Sequence, residues 1–246
     1  MTKTLILIPS RMAATRLPGK PLLKINNLSI ISHVFKRAEE AKIGEVVVAT
    51  EDQKILEDVI KNGGRGILTS SNHKTGTDRI FEAYKKLEIK DVDYVLNLQG
   101  DEPNIDKNDI ISLNNFMINN NSEIGTLAAT IQDDKIANNK NVVKVITGKK
   151  LEKNNFPTAL NFTRDNLSKN NSNIYHHIGI YSYKISILEK FVSLAQTTNE
   201  IENKLEQLRA LDNKLKINVA LAKSSPIGID TEEDYLAIKK IMEYKS

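Results

Sequence analysis

Short apolar runs alternate with stretches of helical periodicity from the first residues of this chain. Leu5–Ile8 is an unbroken apolar run, which predicts a buried strand. Ser29–Ala41 then places Ile30, Val34 and Ala38 on one helical face. Glu45–Thr50 is a β-branched strand, and Asp52–Asn62 a helix closed by Gly63-Gly64. Gly66–Leu68 predicts a short strand, Thr77–Leu87 a helix, and Asp93–Leu98 a strand that runs into Gln99-Gly100-Asp101. Alternation of this kind predicts an α/β fold with a parallel, doubly wound sheet and ligands at the carboxyl ends of its strands.

The second half is less regular. Ile124–Thr130, Asn141–Ile146, Ala159–Thr163, Tyr175–Tyr183 and Lys216–Ala222 predict strands, while Ile185–Leu194, Ile201–Leu211 and Thr231–Tyr244 predict helices. The Asn/Ser-rich run Asp165–Asn173 reads as a flexible loop. Thr231-Glu232-Glu233-Asp234 has the form of a capping box. With no repeat and no clear linker, residues 1–246 read as a single domain with a sheet extension in its second half.

Composition narrows the class. The 246 residues are 40% hydrophobic and 27% charged, an ordinary globular balance. No cysteine is present, which excludes disulfides, thiolate chemistry and Cys-ligated metals and fits a cytoplasmic protein. The run at Leu5–Ile8 is too short for an export signal, and no apolar run approaches the ~18 residues of a membrane span. The net charge of +4 does not indicate nucleic acid, because lysines are interleaved with acids and asparagines, and aromatics are only 5%. A mild positive excess suits small anionic substrates instead.

The loop leaving the first strand changes the picture most. It carries Arg11, Arg16 and Lys20, stiffened by Pro9, Pro18, Gly19 and Pro21. Three cations at a strand's carboxyl end suit a polyphosphate. The loop is not a Walker A, which needs Gly where Ala14 stands and Ser or Thr where Pro21 stands. Asp101 follows the strand at Asp93–Leu98, so it either starts a turn before Pro103 or holds Mg²⁺ beside the phosphates. Asp230, after the last strand, is either a helix cap or a second carboxylate at the same edge. His73 opens a turn into a helix at Thr75-Gly76-Thr77, where an N-terminus attracts anions, although Thr75 or Thr77 also serves as a plain cap.

The four histidines lack zinc-ligand spacing, and His33 reads as structural. His176 shares a strand face with Ile178 and Ile180, which predicts core, whereas His177 shares the other with Gly179 and Tyr181 and can line a sugar pocket. Glu206, Gln207 and Arg209 fall on the predicted helix whose buried stripe is Ile201, Leu205, Leu208 and Leu211, and by default form a solvated face. Arg164, beside the Asn/Ser-rich loop, reads by itself as a surface arginine.

Eight segments, IPSRMAATRLPGKPL, VVVATEDQKI, HKTGTDRI, NLQGDEP, NVVKV, HHIGIYSYK, LEQLRAL and GIDTEEDY, together resemble the 3-deoxy-manno-octulosonate (Kdo) cytidylyltransferase family, the CMP-Kdo synthetases of lipopolysaccharide assembly. They run in family order over nearly the whole chain. The resemblance implies a Rossmann-like nucleotide-diphospho-sugar transferase fold, a homodimer, and the reaction CTP + Kdo → CMP-Kdo + pyrophosphate. It implies a nucleotide-binding part at about 1–110, a sugar-binding and dimerisation part at about 111–225, and a metal-ligand turn and helix at 226–246. Pro9, Ser10, Arg11, Arg16 and Lys20 then hold the triphosphate, and Thr75, Gly76, Arg79 and Gln99 complete the nucleotide site. Asp101 and Asp230 become Mg²⁺ ligands, and with Arg11 and Lys20 form the catalytic set. Gln99, Arg164, His177, Tyr181, Glu206 and Gln207 fall on the sugar side, where the planar guanidinium of Arg164 suits the Kdo carboxylate.

The chain departs from the family pattern in places. Ser10 and Met12 replace Ala and Tyr in the first loop, Thr75 replaces Ser, and Asn203 replaces a Glu. After Ala159-Leu160 the family's Y-F-S-R-A-P-I-P reads Asn161-Phe162-Thr163-Arg164-Asp165-Asn166-Leu167-Ser168, without either proline. These changes leave open a related acidic sugar, such as an amino-Kdo or a nonulosonate, and a homologue that binds without turnover.

Overall fold

The apolar run at Leu5–Ile8 is the middle of strand β1 (Thr4–Ser10), which is buried along its length apart from half-buried Pro9. The computed structural model describes residues 2–13, 16–131, 133–165, 173–226 and 228–244. The chain divides into two compact units, Met1–Ile110 with Pro226–Ser246, and Ile111–Ser225.

In the first unit, β1 leads through a 3-10 turn at Lys20–Leu22 to a small hairpin, β2 (Lys24–Ile25) and β3 (Leu28–Ser29). The periodicity does not reveal this hairpin. Its turn residues Asn26 and Asn27 both take positive φ, which short amide side chains tolerate. Helix α1 (Ile30–Glu40) follows, capped by the Ser29 hydroxyl, which accepts from the Ser32 N–H. Then come β4 (Gly44–Thr50), α2 (Gln53–Lys61), β5 (Gly66–Leu68), α3 (Gly76–Leu87) and β6 (Tyr94–Asn97). The strands lie in the order β5-β4-β1-β6, all parallel. The winding therefore reverses between β1 and β6, and a doubly wound sheet opens a crevice for ligands at the carboxyl ends flanking such a reversal.

Helix α4 (Lys107–Asn120), which the boundary between the units crosses, is also absent from the sequence reading. Ile110, Leu113 and Met117 are its buried stripe. The second unit continues with β7 (Ile124–Ala129), α5 (Asp134–Asn138), β8 (Lys144–Thr147), β9 (Ala159–Thr163), β10 (Ile174–Lys184), α6 (Ile185–Ser193), α7 (Thr198–Asn203), α8 (Leu208–Asp212) and β11 (Ile217–Leu221). Its strands order as β11-β7-β10-β8-β9, with β11 parallel to β7 and the other pairs antiparallel. The chain then returns to the first unit with α9 (Glu232–Tyr244). There the Thr231 hydroxyl accepts from the Asp234 N–H at 3.2 Å and the Asp234 carboxylate from the Thr231 N–H at 2.9 Å, a reciprocal cap.

Two expectations need correction. The single helix over Ile201–Leu211 is two, α7 and α8, broken where Lys204 takes a left-handed conformation (φ 54°). Leu205 and Leu208 are buried as the stripe predicts, but Ile201 is 58% exposed because the break turns α7 away from that stripe. His176 is half-exposed rather than core, with its Nδ1 2.7 Å from the Ser225 hydroxyl, while His177 is buried. A register shift between Ile178 and Tyr181 interrupts the alternation of β10, so faces assigned by counting twos do not carry through. Of the predicted loop at Asp165–Asn173, residues 166–172 lie outside the described residues.

Candidate active site

The first unit holds a pocket of about 390 Å³ at the carboxyl ends of β1 and β6. Four separate chain segments build it. Pro9 and Ser10 end β1, Arg11, Arg16 and Lys20 come from the loop and 3-10 turn that follow it, and His73, Lys74, Thr75, Gly76 and Arg79 come from the approach to α3 and its first turn. Gln99, Gly100 and Asp101 follow β6, and Asp230 precedes α9. Five Arg and Lys side chains against two carboxylates give a wall that attracts polyanions.

Local geometry explains how each group arrives. Gly19 adopts φ 72°, a left-handed conformation that glycine enters without penalty, and so starts the tight turn that carries Lys20 inward. A Cβ on Gly100 would lie 2.9 Å from the Pro9 carbonyl oxygen, so only glycine lets the two strand ends approach this closely. The loop after β1 is tied down where the Met12 N–H donates to Asp52 Oδ2 at 2.8 Å. The Thr75 hydroxyl caps α3 by accepting from the Asp78 N–H, which leaves an N-terminal turn of the kind that receives anions.

Asp230 reaches the pocket through packing from the far end of the chain. Ile229 and Ile238 are fully buried against Ile25 and Ile30, and such side chains contribute ~1.5–3 kcal/mol each. The Ile229 N–H donates to the Asp101 carbonyl at 3.0 Å, which sets the two aspartates side by side. Lys20 Nζ then lies between them. It donates to Asp101 Oδ2 at 2.8 Å, to the Ile229 carbonyl at 2.6 Å and to Asp230 Oδ1 at 3.4 Å, with only 14% of its side chain exposed. Arg16 pairs with Asp230 at 3.0 Å, but both are more than half exposed, so this pair is worth under ~1 kcal/mol.

Arg79 departs from a simple ligand-binding role. It lines the pocket, yet it is 3% exposed, and its guanidinium is engaged by the Thr69 hydroxyl at 2.7 Å, the Ser70 carbonyl at 3.2 Å and the Glu51 carboxylate. His73, which the sequence marks as opening the turn into α3, lines the pocket, and Lys74 is a pocket residue that the sequence does not single out. Their signal is their place beside Thr75 at a helix N-terminus. His33, read as structural, places its Nε2 2.8 Å from the Ile25 carbonyl.

Gln99 joins the pocket, and the remaining sugar-side residues belong to the second unit. His177 is buried and touches Phe162 edge-on and Tyr181, with ring centroids 5.1 and 5.4 Å apart. Its Nε2 is 3.0 Å from the Thr126 hydroxyl, which also lies 2.7 Å from the Ile180 carbonyl. A hydroxyl has one proton, and the nearer Ile180 carbonyl takes it. Nε2–H therefore donates to Thr126, and Nδ1 is left as an acceptor. Burial, reinforced by the His176 and Arg164 charges, lowers the His177 pKa to about 3, so the ring stays neutral. Burial pushes the Tyr181 hydroxyl well above its usual value, with Tyr183 and Glu206 adding to the effect, so it remains a donor.

Arg164 donates to the Asn141 carbonyl at 2.8 Å, and its own carbonyl accepts from Lys144 Nζ at 3.2 Å. Glu206 and Gln207 lie in the turn between α7 and α8 rather than on a helix face. Arg209 is not solvated. It is 3% exposed and donates to Glu200 through Nε at 2.8 Å and Nη2 at 2.6 Å.

Residues 5–217 match the family model described as Cytidylyltransferase. The chain is 42% identical over 241 residues to the 3-deoxy-manno-octulosonate cytidylyltransferase of Bartonella bacilliformis, covering 98% of each. It is 44% identical over 244 residues to that of Rhodopseudomonas palustris BisB18, covering 99% of each. The chain belongs to the 3-deoxy-manno-octulosonate cytidylyltransferase family. A solved structure of CMP:2-keto-3-deoxy-manno-octonic acid synthetase complexed with CTP superposes with a TM-score of 0.90 at 32% identity over the full length of both chains. UDP-glucose pyrophosphorylase complexed with UDP-glucose, at TM-score 0.73 and 16% identity, shares the fold.

Family membership gives the departures in sequence a setting. Ser10 ends β1, Met12 sits on the tethered loop that follows, and Thr75 performs the capping that a Ser performs equally well. Asn203 closes α7 on the surface, its amide donating to the Asn199 carbonyl at 2.9 Å. As for a metal, no group of three or more His, Cys, Asp or Glu among the described residues is placed to hold one by itself. Asp101 and Asp230 nonetheless converge with the Ile229 carbonyl on one cationic centre, the Lys20 ammonium. Such a hard-oxygen set fits Mg²⁺, which uses one or two carboxylates and takes its remaining ligands from substrate phosphates and water. No helix among the described residues is long and apolar enough to cross a membrane.

Proposed function

We propose that this protein transfers CMP from CTP to the anomeric 2-hydroxyl of Kdo, giving CMP-Kdo and pyrophosphate for lipopolysaccharide assembly. The observation that carries this reading is the Lys20 ammonium between Asp101 and Asp230, in a pocket whose other charged walls are cationic. In this reading the Kdo hydroxyl attacks the α-phosphorus and releases its proton to solvent, while the bond to pyrophosphate breaks and pyrophosphate leaves. Arg11, Arg16 and Lys20 neutralise the triphosphate and the departing pyrophosphate. Ser10, Thr75, Gly76 and the α3 N-terminus hold the nucleotide against Pro9, and Gln99 contacts nucleotide and sugar. Asp101 and Asp230 hold Mg²⁺, which when bound supplies charge neutralisation at the reacting phosphate.

On the sugar side, neutral His177 offers Nδ1 as an acceptor and Tyr181 a permanent O–H donor, a pair that suits sugar hydroxyls. Arg164 receives the carboxylate, and Glu206 and Gln207 contact the remaining hydroxyls. The enzyme works in the cytoplasm as a homodimer. Exposed Leu160 and Ile201 on the second unit support an association surface, which sedimentation of the purified protein tests.

Pyrophosphate release from CTP, Mg²⁺ and a panel of 2-keto-3-deoxy sugars tests the assignment. Kdo is the expected best acceptor. Preference for an amino-Kdo or a nonulosonate replaces the sugar and keeps the chemistry. CTP binding without turnover on any acidic sugar replaces the enzyme with a binding protein.

A further inference from the structure

The segment 69–75, between β5 and α3, supplies His73, Lys74 and Thr75 to the pocket without any strand or helix of its own to hold them. It is held instead by two side chains one turn apart on the helix it leads into. Arg79 grips its start, donating to the Thr69 hydroxyl at 2.7 Å and the Ser70 carbonyl at 3.2 Å. Glu82 grips its middle. The Ser70 N–H donates to both Glu82 oxygens, at 2.9 and 3.2 Å, and the His73 ring contacts the same carboxylate through Nε2. The loop is thereby folded back onto α3 at Thr69, Ser70 and His73, and Lys74 follows directly. Both contact groups are well shielded, with side-chain exposures of 22% for Glu82 and 19% for His73.

Glu82 is not one of the described residues that line the pocket. Its polar partners fall into two sets. On the loop side are Ser70 and His73, and on the helix side is Lys86, one turn further along α3, at 2.6 Å. A group needed only to stabilise α3 would be satisfied by the Lys86 pair, which is an ordinary spacing on a helix surface. The loop contacts serve the loop. Without them the Ser70 N–H and the His73 ring would have to find water, and the segment carrying Lys74 would lose its fixed approach to the pocket.

We propose that Glu82 is a positioning residue for the nucleotide: it holds the 69–75 loop so that Lys74 and the capped start of α3 face the phosphates. The inference rests on the CTP reading above and adds a residue that acts at a distance from the ligand. Misplacing a positioned group by about 1 Å is enough to cost a large factor, so the expected effect is on binding rather than on folding.

The test measures CTP binding by titration calorimetry with Mg²⁺ present, together with KM and kcat, for the wild type, Glu82→Ala and Glu82→Gln. Glu82→Ala is expected to weaken CTP by roughly ten- to a hundredfold with little change in kcat at saturating CTP or in KM for the sugar. Glu82→Gln keeps an acceptor for the Ser70 N–H and should fall between the two, and it carries the test if the alanine variant does not fold. A double-mutant cycle with Lys74→Ala supplies the readout that a merely structural role would not move. Lys74→Ala should weaken CTP strongly in the wild type and little in the Glu82→Ala background. Equal CTP binding by the wild type and a folded Glu82 variant overturns the inference alone, as does additivity with Lys74. Absence of CTP binding in the wild type overturns the functional reading and the inference together.

Discussion

The first unit turns Arg11, Arg16 and Lys20 toward a cavity, while the second buries Arg209 and Lys144 against its own chain. Around the pocket, Arg11 and Arg16 are exposed, and the Lys20 ammonium rests on the two carboxylates of Asp101 and Asp230. In the second unit Arg209 and Glu200 are both nearly fully buried, the pair bonds in two-pronged fashion, and Glu200 also accepts from the Thr197 N–H at 3.3 Å. Lys144, 1% exposed, is held by the carbonyls of Asn139 and Arg164. The same residue types thus serve opposite ends. A charge left near solvent stays available to a ligand, whereas one buried with all its donors engaged sets the shape of the chain around it.

Breaking the buried pair tests one side of this contrast most severely. Glu200→Ala leaves the Arg209 guanidinium buried without its carboxylate and should destabilise the protein by ~3–5 kcal/mol. Urea unfolding measures this, and a loss within ~1 kcal/mol of zero would place Arg209 among the exposable cations after all. Asp101→Asn tests the other side. It should leave unfolding unchanged and cut turnover by ~10²–10³. Near-normal pyrophosphate release from that variant would remove the metal role.

Acid sharpens the contrast further. The His177 imidazole titrates at 6.5 in an unstructured chain and at about 3 in its buried site. Between those values the unfolded state binds more protons, so stability is complete above pH 6.5 and declines as pH falls toward 3, by up to ~1.4 kcal/mol per pH unit. Burial lowers His33 and His176 as well, in the same sense. Urea midpoints measured from pH 7 to 4 should fall, and His177→Asn should flatten the slope. An unchanged slope would mean that the ring is not shielded. The smallest effect belongs to the pocket's C-terminal border. Thr231→Ala removes the acceptor for the Asp234 N–H and should cost ~1 kcal/mol, seen as a modest drop in melting temperature.

Periodicity was a good guide where one physical cause acted alone. The central strands β1 and β6 are continuous buried segments apart from half-buried Pro9, as is β4 from Val46 onward, and the predicted boundaries of the first unit's strands agree with the structure to within a residue or two. It misled where causes competed. Over Ile201–Leu211 the apolar spacing suits one helix, yet the left-handed Lys204 breaks it and Arg209 bonds back to Glu200 across the break. On β10 a bulge defeated the count of alternate residues. Helix α4 was passed over although Ile110, Leu113 and Met117 mark its face, and the Asn26-Asn27 hairpin is too short to register in any window.

The chemistry divides in the same way. The cations of the first loop, its Gly19 and both aspartates stand out in the sequence as candidates, because cations suit a polyphosphate and carboxylates a hard cation, whereas the close approach that Gly100 permits does not. That Asp101 and Asp230 meet is a tertiary fact. It depends on Ile229 and Ile238 burying themselves against Ile25 and Ile30, and on one backbone hydrogen bond between Ile229 and Asp101. The engagement of Arg79 by Glu51, Thr69 and Ser70, and the grip of Glu82 on the loop beside it, were equally hidden. Sequence determines which groups are present and which local shapes their neighbours permit. Only the packed structure decides which charges face a ligand and which face one another, because that choice is made by burial, and burial is a property of the whole fold.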